Sequence, residues 1–423
     1  MRKTAYQLGR EMTWSHVAEL YLKSFQDARR SRIHVPKPLA VRTMEEQPLE
    51  LPSMNLEHLM RLSDSTGILQ HACYSVPNNH EGYCTDDNAR ALILTVLLED
   101  LGKDSRELHQ AASSYAAFLN YAFNPESGRF RNFMSFDRRW MEQDGSDDSL
   151  GRAIWALGTC VGRSRRRSLQ AWAVPLFERA LPASAMTTSP RTWALSLIGI
   201  HEYLRRLSGD RVVNHMRDTL TNKLIDLYEH SATDDWPWFE DVASYNNAKL
   251  PHALILSGRW SGNERATQIG LRSLRWLAEQ QQSSEGRFRP IGCNGFCRRG
   301  EPAAEYDQQP IEAHAMVSAA IEAFAATNDL SWCEQAHLAF DWFLGRNDLG
   351  QPLFDTGTGG CHDGLQENRV NENQGAESTL AFLLSLAEME LLENSFAAFE
   401  SPKPSMSKAH HEKAETPSVI HAD

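Results

Sequence analysis

Glu372-Asn373-Gln374-Gly375-Ala376-Glu377-Ser378-Thr379 runs without a break into the apolar stretch Leu380 to Leu386. A loop rich in amides and acids opens here directly into a buried helix. The same arrangement recurs along the chain. Tyr83 to Arg90 (YCTDDNAR) runs into ALILTVLL, and Asp144 to Arg152 (DGSDDSLGR) into AIWALGTCV. Ser189 to Trp193 (SPRTW) runs into ALSLIGI, Tyr245 to Lys249 (YNNAK) into LPHALIL, and Tyr306 to Glu312 (YDQQPIE) into AHAMVSAAI. The units recur at roughly 45 to 70 residues, the length of a helical hairpin with a long loop.

Between these units lie stretches of another kind: Leu56 to His71, Ser105 to Phe123, Ser168 to Leu181, Arg211 to His230, Glu264 to Gln281 and Trp332 to Leu344. They carry charge on one side and apolar residues on the other, which predicts outer, amphipathic helices. The polar-opened runs are apolar nearly all round and predict inner helices. Six of each give an all-α (α/α)6 toroid of six helical hairpins. An open solenoid would repeat one consensus motif; here every loop differs, which favours a closed ring with one central site. Gly128-Arg-Phe-Arg131, Trp236-Pro-Trp-Phe239, Gly286-Arg-Phe-Arg289 and Pro352-Leu-Phe354 are expected to form short β-hairpin-like loops at the mouth.

Composition limits the function. The 423 residues carry a net charge of −12, which argues against binding a phosphate backbone. The Arg163 to Arg167 run (RSRRR) reads as a solvated loop. No apolar run of transmembrane length and no secretory leader are visible, and seven irregularly spaced cysteines fit free thiols. A cytoplasmic protein is expected, with no nucleic-acid or membrane partner and no cofactor. Cys293 and Cys297 lack the second pair that a zinc site needs, so no metal is expected.

If the inner helices run in one direction, their N-termini gather at one end. Their free N–H groups and dipoles then face one cleft. The loops bring carboxylates there, although Asp86 or Asp87 and Asp147 or Asp148 also sit where helix caps belong. Carboxylates, amides and aromatic faces are what a sugar site needs. Glycoside cleavage takes one protonated carboxyl and one carboxylate. Trp236, Trp238 and Phe239 beside Glu240 and Asp241 offer an apolar wall that raises a carboxyl pKa, which makes Glu240 or Asp241 the first candidate acid. Asp307, beside Gln308 and Gln309, is the candidate base, with Asp87 and Asp148 as alternatives. Candidate substrate-binding residues are Tyr83, Asp86, Asn88, Arg90, Trp236, Trp238, Tyr245, Asn246, Gln308, Gln309, His362, Asp363, Asn373, Gln374 and Glu377. His252 and His314 fall on inner-helix segments. Two facing histidines offer a different chemistry, proton abstraction and return, as in sugar 2-epimerases.

Residues 11 to 30 carry a helical stripe of Trp14, Val17, Ala18, Tyr21, Leu22 and Phe25. It resembles the last helix of group-1 retaining glycosyltransferases, so residues 1–30 are read as a remnant of such an enzyme. A Pro-rich linker is expected over 31–55, the toroid over 56–398 and a disordered tail over 399–423. Taken together, YCTDDNARAL, DGSDDSLGRA, WPWFED, YNNAKLPHAL, YDQQPIEA, TGGCHDGL and NQGAES resemble a bacterial domain family of the six-hairpin glycosidase type, found alone or fused behind group-1 glycosyltransferases. The resemblance covers about residues 56 to 392. It implies a toroid that processes a short glycan, with a glycosyltransferase as possible partner; it fixes neither sugar nor reaction. The alternatives are an epimerase working through histidines and a non-catalytic glycan-binding module.

Overall fold

This computed structural model describes residues 18, 21–23 and 49–400. Most of the 1–30 helix, residues 31–48 of the expected linker and residues 401–423 of the expected tail lie outside the described residues. The chain divides between Pro48 and Leu49 into two units, and the second unit holds the helical ring.

Among the described residues of that second unit, twelve α-helices run in succession from Glu57 to Glu400. The inner ones are α2 (Thr85–Asp100), α4 (Asp147–Arg163), α6 (Pro190–Leu204), α8 (Lys249–Ser261), α10 (Pro310–Thr327) and α12 (Ala376–Glu400). Each begins within or just after one of the polar openings. The outer ones are α1 (Glu57–Leu62), α3 (Arg106–Ala122), α5 (Arg167–Met186), α7 (Arg211–Ser231), α9 (Glu264–Gln280) and α11 (Ser331–Asp341). Every inner helix packs on the next, and α12 returns to pack on α2, so the ring is closed. Outer helices lie against inner ones: α3 on α2, α5 on α4, α7 on α6, α9 on α8, α11 on α10 and α1 on α12. The fold is the expected (α/α)6 toroid.

Local chemistry sets the helix starts. Ser105, Ser146, Ser189 and Asn263 accept hydrogen bonds from backbone N–H groups of the first turns of α3, α4, α6 and α9. Pro190 and Pro310 occupy first helical positions, where their missing N–H is no loss. α8 and α10 stop at Gly262 and Asn328, both left-handed. The inner helix α2 is buried without interruption from Asp87 to Glu99. The outer helix α9 buries only one stripe, Ala266, Gly270, Ser273, Leu274, Trp276 and Leu277. The closest inner pair is α4 with α6. A Cβ on Gly158 would come within 2.0 Å of the Gly199 carbonyl oxygen, so only glycine permits this approach.

One expected helix is much shorter than its apolar stripe implied. The segment from Leu56 to His71 is helical only over Glu57–Leu62. Ser63 is extended, and Asp64 Oδ1 accepts the N–H groups of Thr66 and Gly67. That turn folds the chain back, pairing Ser63 with Ile68.

Short antiparallel two-residue pairs decorate the mouth. They are β1 (Ala72–Cys73) with β2 (Val76–Pro77), β3 (Tyr83–Cys84) with β6 (Phe133–Met134), β4 (Phe123–Asn124) with β5 (Arg129–Phe130), β7 (Val242–Ala243) with β8 (Cys297–Arg298), and β9 (Gly364–Leu365) with β10 (Val370–Asn371). The Gly128–Arg131 loop is thus the hairpin expected. The other repeats contribute only single bridges, Gln282 with Phe288 and Phe354 with Cys361. Trp236–Phe239 forms no strand.

Candidate active site

The inner helices present their first turns at one end of the ring, and charged groups from α2, α4, α12 and the loop before α8 meet there. Asp86 and Asp87 lie in the first turn of α2 and Arg90 one turn further. Asp147 and Asp148 open α4, with Arg152 one turn on. The Asp86–Arg90 and Asp148–Arg152 spacings each put an acid and an arginine on one helix face.

Arg90 is buried and bridges two elements. Its Nη1 donates to Asp87 Oδ1 at 2.7 Å and its Nη2 to Glu377 Oε2 at 2.5 Å. The second bond ties α2 to α12 where the ring closes. Arg152, also buried, donates through Nη2 to the Tyr245 hydroxyl at 2.6 Å, and its Nε lies 3.9 Å from Asp86 Oδ2. Burial pushes the Tyr245 phenol well above its usual range. Burial also pushes the Asp86 carboxyl up to about 6; Arg152 and Arg90 oppose the shift, and Asp148 and Asp87 add to it. Asp86 Oδ1 is buried and has no hydrogen-bond partner in the protein. Asp87 is raised too, by burial foremost, but both its oxygens are engaged, by Arg90 and by the Cys84 thiol. Asp148 is half-buried and Glu377 more exposed, 44% of its side chain being accessible. Asn246, held left-handed at φ 49°, is buried with both polar side-chain atoms unpartnered. Its backbone N–H and the Asn247 side chain bind Glu312.

The other sequence candidates are placed differently. Glu240 pairs with Arg191 at 2.7 Å, and Asp241 is exposed beside Arg299. Trp236, Trp238 and Phe239 turn into the core against Trp276 and Tyr228. The apolar wall therefore covers neither acid. Asp307 is half-buried, its carbonyl accepting from Cys293 N–H. Gln309 lies 3.8 Å from the Cys293 sulfur. Gln308 is fully buried between Asp348 and Trp342. Tyr83 donates to Asp64, and Asn88 serves the backbone of Cys84 and Ile68. Asp363 accepts from Gly375 N–H, Asn373 from Tyr74 N–H, and Gln374 is fixed by Asp355 and Thr358. His362 lines a separate loop cleft with Tyr74, Asp355 and Glu372.

Arg152 and Lys249 join the site although, as the last residues of two polar openings, neither was among the candidate site residues. The repeated acid-to-arginine spacing is the signal that points to Arg152. Lys249, the first residue of α8, sits inside the ring with 1% of its surface exposed. Its ammonium lies 4.8 Å from the centre of the Trp155 ring, and no partner accepts from it. Burial lowers its pKa to about 8. His314 stacks on Trp155 at 6.5 Å, with Glu388 3.6 Å away; Ser318 donates to Glu388 at 2.6 Å. Burial lowers His314 to about 4 and His252 well below its usual value, so both imidazoles are neutral near pH 7. The same surroundings hold Glu388 ionised; burial opposes this, and nearby positive charge, Lys249 included, with the Ser318 hydroxyl brings its pKa down to about 2.

Among the described residues, no group of three or more His, Cys, Asp or Glu is placed to hold a metal ion. Nor is any described helix long and apolar enough to cross a membrane.

No protein-family model and no curated protein matches the chain. Solved structures do. The cellobiose 2-epimerase of Bacillus thermoamylovorans superposes with a TM-score of 0.61 at 12% identity, covering 79% of this chain and 96% of that one. A D-mannose isomerase gives 0.59 at 13%, covering 80% and 96%. A family 76 α-mannanase from Bacteroides thetaiotaomicron gives 0.53 at 11%, covering 74% and 88%. These likenesses show the fold, the six-hairpin (α/α)6 ring.

Proposed function

We propose that this chain is a carbohydrate-processing enzyme of the glycoside hydrolase kind, acting on a short glycan at the mouth of the ring. Asp86 is its general acid and Asp148, across Arg152, its carboxylate partner. A glycosyltransferase that makes or uses the glycan is the partner suggested by the N-terminal helix pattern. The solved neighbours include epimerases, an isomerase and hydrolases, so the ring itself does not choose the reaction. The observation that carries the reading is Asp86, a half-buried carboxyl at the mouth with one buried, unpartnered oxygen and a pKa near 6. Such a group is protonated in part near neutral pH, and its side chain keeps some accessible surface at the mouth.

In the proposed reaction Asp86 gives its proton to the glycosidic oxygen as the bond to the anomeric carbon breaks. Asp148 acts on that carbon directly or through water. Arg90, Tyr245, Asn246 and Glu377 bind sugar hydroxyls. Asp86→Asn and Asp148→Asn are each expected to lower turnover at least about 100-fold, with Glu240→Gln near wild type. Full activity in Asp86→Asn overturns the assignment.

A second reading, epimerisation, rests on His314 beside Glu388 and on His252, whose Nδ1 is buried and unpartnered. Product size separates the two: hydrolysis releases a smaller sugar, whereas epimerisation conserves mass. Loss of epimerisation in His314→Gln with full activity in Asp86→Asn establishes the second. Sugar binding with no turnover of either kind indicates a binding module.

A further inference from the structure

The ring has a second chamber. At the end opposite the mouth, where the inner helices finish, lies a cavity of about 330 Å³. That is within the size range of small-molecule sites. It is built in layers, because each inner helix contributes residues one and two turns apart. The floor is Trp155, His252, Ser318 and Glu388. One turn outward comes an aliphatic belt of Leu97, Leu256, Ile321 and Leu391. Another turn brings the rim, with Arg163, Arg205, Arg259 and Ser395. The seven positions from Glu388 to Ser395 span about 10 Å along a helix. Lys249 and His314, both packed on Trp155, stand between this chamber and Arg90 and Arg152 of the mouth.

The rim arginines are not free to bind an anion. Arg163 grips both carboxylate oxygens of Glu202, at 2.8 and 2.9 Å. Arg259 pairs with Glu322 at 2.9 Å, and Arg205 lies 3.5 Å from Glu202. Helix C-termini add a negative potential at this end, which further disfavours an anion. A cation fares no better, although Glu388 on the floor is ionised. Glu388 already accepts from Ser318 and faces the Lys249 ammonium, Glu202 and Glu322 are taken by Arg163 and Arg259, and three arginines stand at the rim a cation would have to pass. At the floor, His252 Nδ1 is unpartnered in a residue 8% exposed.

We infer that this chamber is a second binding site, for a neutral alcohol with an apolar body. Its inner hydroxyl bonds His252 and Ser318, its body lies in the aliphatic belt, and its outer polar end reaches the rim. This site does not depend on the Asp86 and Asp148 chemistry assigned to the mouth; only the second, epimerase reading would share its floor residues His252 and Glu388.

Three probes share one body and differ in charge: 2-(4-hydroxyphenyl)ethanol, tyramine and 4-hydroxyphenylacetate. Titration of the full chain, followed by ligand-observed NMR, should show the neutral alcohol saturating one site at least about tenfold more tightly than either ion. Leu391→Trp fills the belt, and Ser395→Trp blocks the exposed lip where folding is least at risk. Each should weaken the alcohol at least about tenfold, while Asp86→Asn leaves it unchanged. The proposal is overturned if binding does not saturate, if an ion binds as well, if binding survives both tryptophan variants, or if Asp86→Asn abolishes it.

Discussion

Asp86 and Glu240 show how much a carboxyl owes to its neighbours. Both follow an aromatic-containing loop, yet Glu240 meets a guanidinium at ion-pair distance, while Asp86 stands 3.9 Å from one with a free oxygen. If Asp86 is the acid, the fraction able to donate falls above pH about 6, so kcat/KM should drop roughly tenfold per unit there. A pH–rate profile checks this, and a flat profile through pH 8 contradicts it. Lys249 supplies a second test. Its folded pKa, about 8, lies below the ordinary 10.5, so the unfolded chain binds more protons between those values. Wild type should therefore gain stability relative to Lys249→Met as pH rises from 8 to 10.5, by up to about 3 kcal/mol. At pH 7 the methionine variant should be at least as stable, since it removes a buried, unpaired charge. Urea midpoints of the two proteins at pH 7 and pH 10 decide it. Neither residue's surroundings were legible in the sequence. A Lys in a first helical turn usually reads as solvated, and the string Trp-Pro-Trp-Phe does not say that its rings face inward, away from Glu240. What was legible is that the openings at 83–90, 144–152 and 372–379 meet, because helix N-termini on one end of a ring must.

Among the elements, α4 and α6 are the tightest pair. Gly158 and Gly199 lie backbone to backbone, and Gly162 stands in the same relation to the Glu202 carbonyl. Helices this close align their polar ends closely, which keeps Asp148 and Arg152 in register with the loop before α8. Gly158→Val has no space on the α6 side and should cost about 3 kcal/mol, the upper range for overpacking. The same change at Gly209, where nothing lies within 4 Å of an added Cβ, should be nearly neutral. Chemical denaturation of both variants tests this. The helix periods in the sequence revealed which segments pair as inner and outer, because inner runs lack a polar face. They did not reveal where α1 would end: the apolar residues of 56–71 fit a helix, but the Asp64 turn and Gly67 break it.

For the molecule as a whole, closure of the ring matters more than any single hairpin. In an open stack a terminal repeat has one neighbour, so losing it removes one interface and leaves the rest folded. Here α12 packs on α10 and on α2, and Glu377 holds Arg90 across the closing seam. Ending the chain at Gly375 therefore removes the interfaces with α10, α2 and α1, uncovers the buried faces of these neighbours and leaves Arg90 with Asp87 alone. Such a truncation should abolish cooperative folding. A chain of residues 49–400, which keeps the ring entire, should unfold in a single transition with its midpoint within about 2 °C of the full protein. Calorimetry of the two truncations separates the cases. A residue 1–375 protein that still melts cooperatively would mean that the five remaining hairpins are self-sufficient and that the seam between α2 and α12 is dispensable.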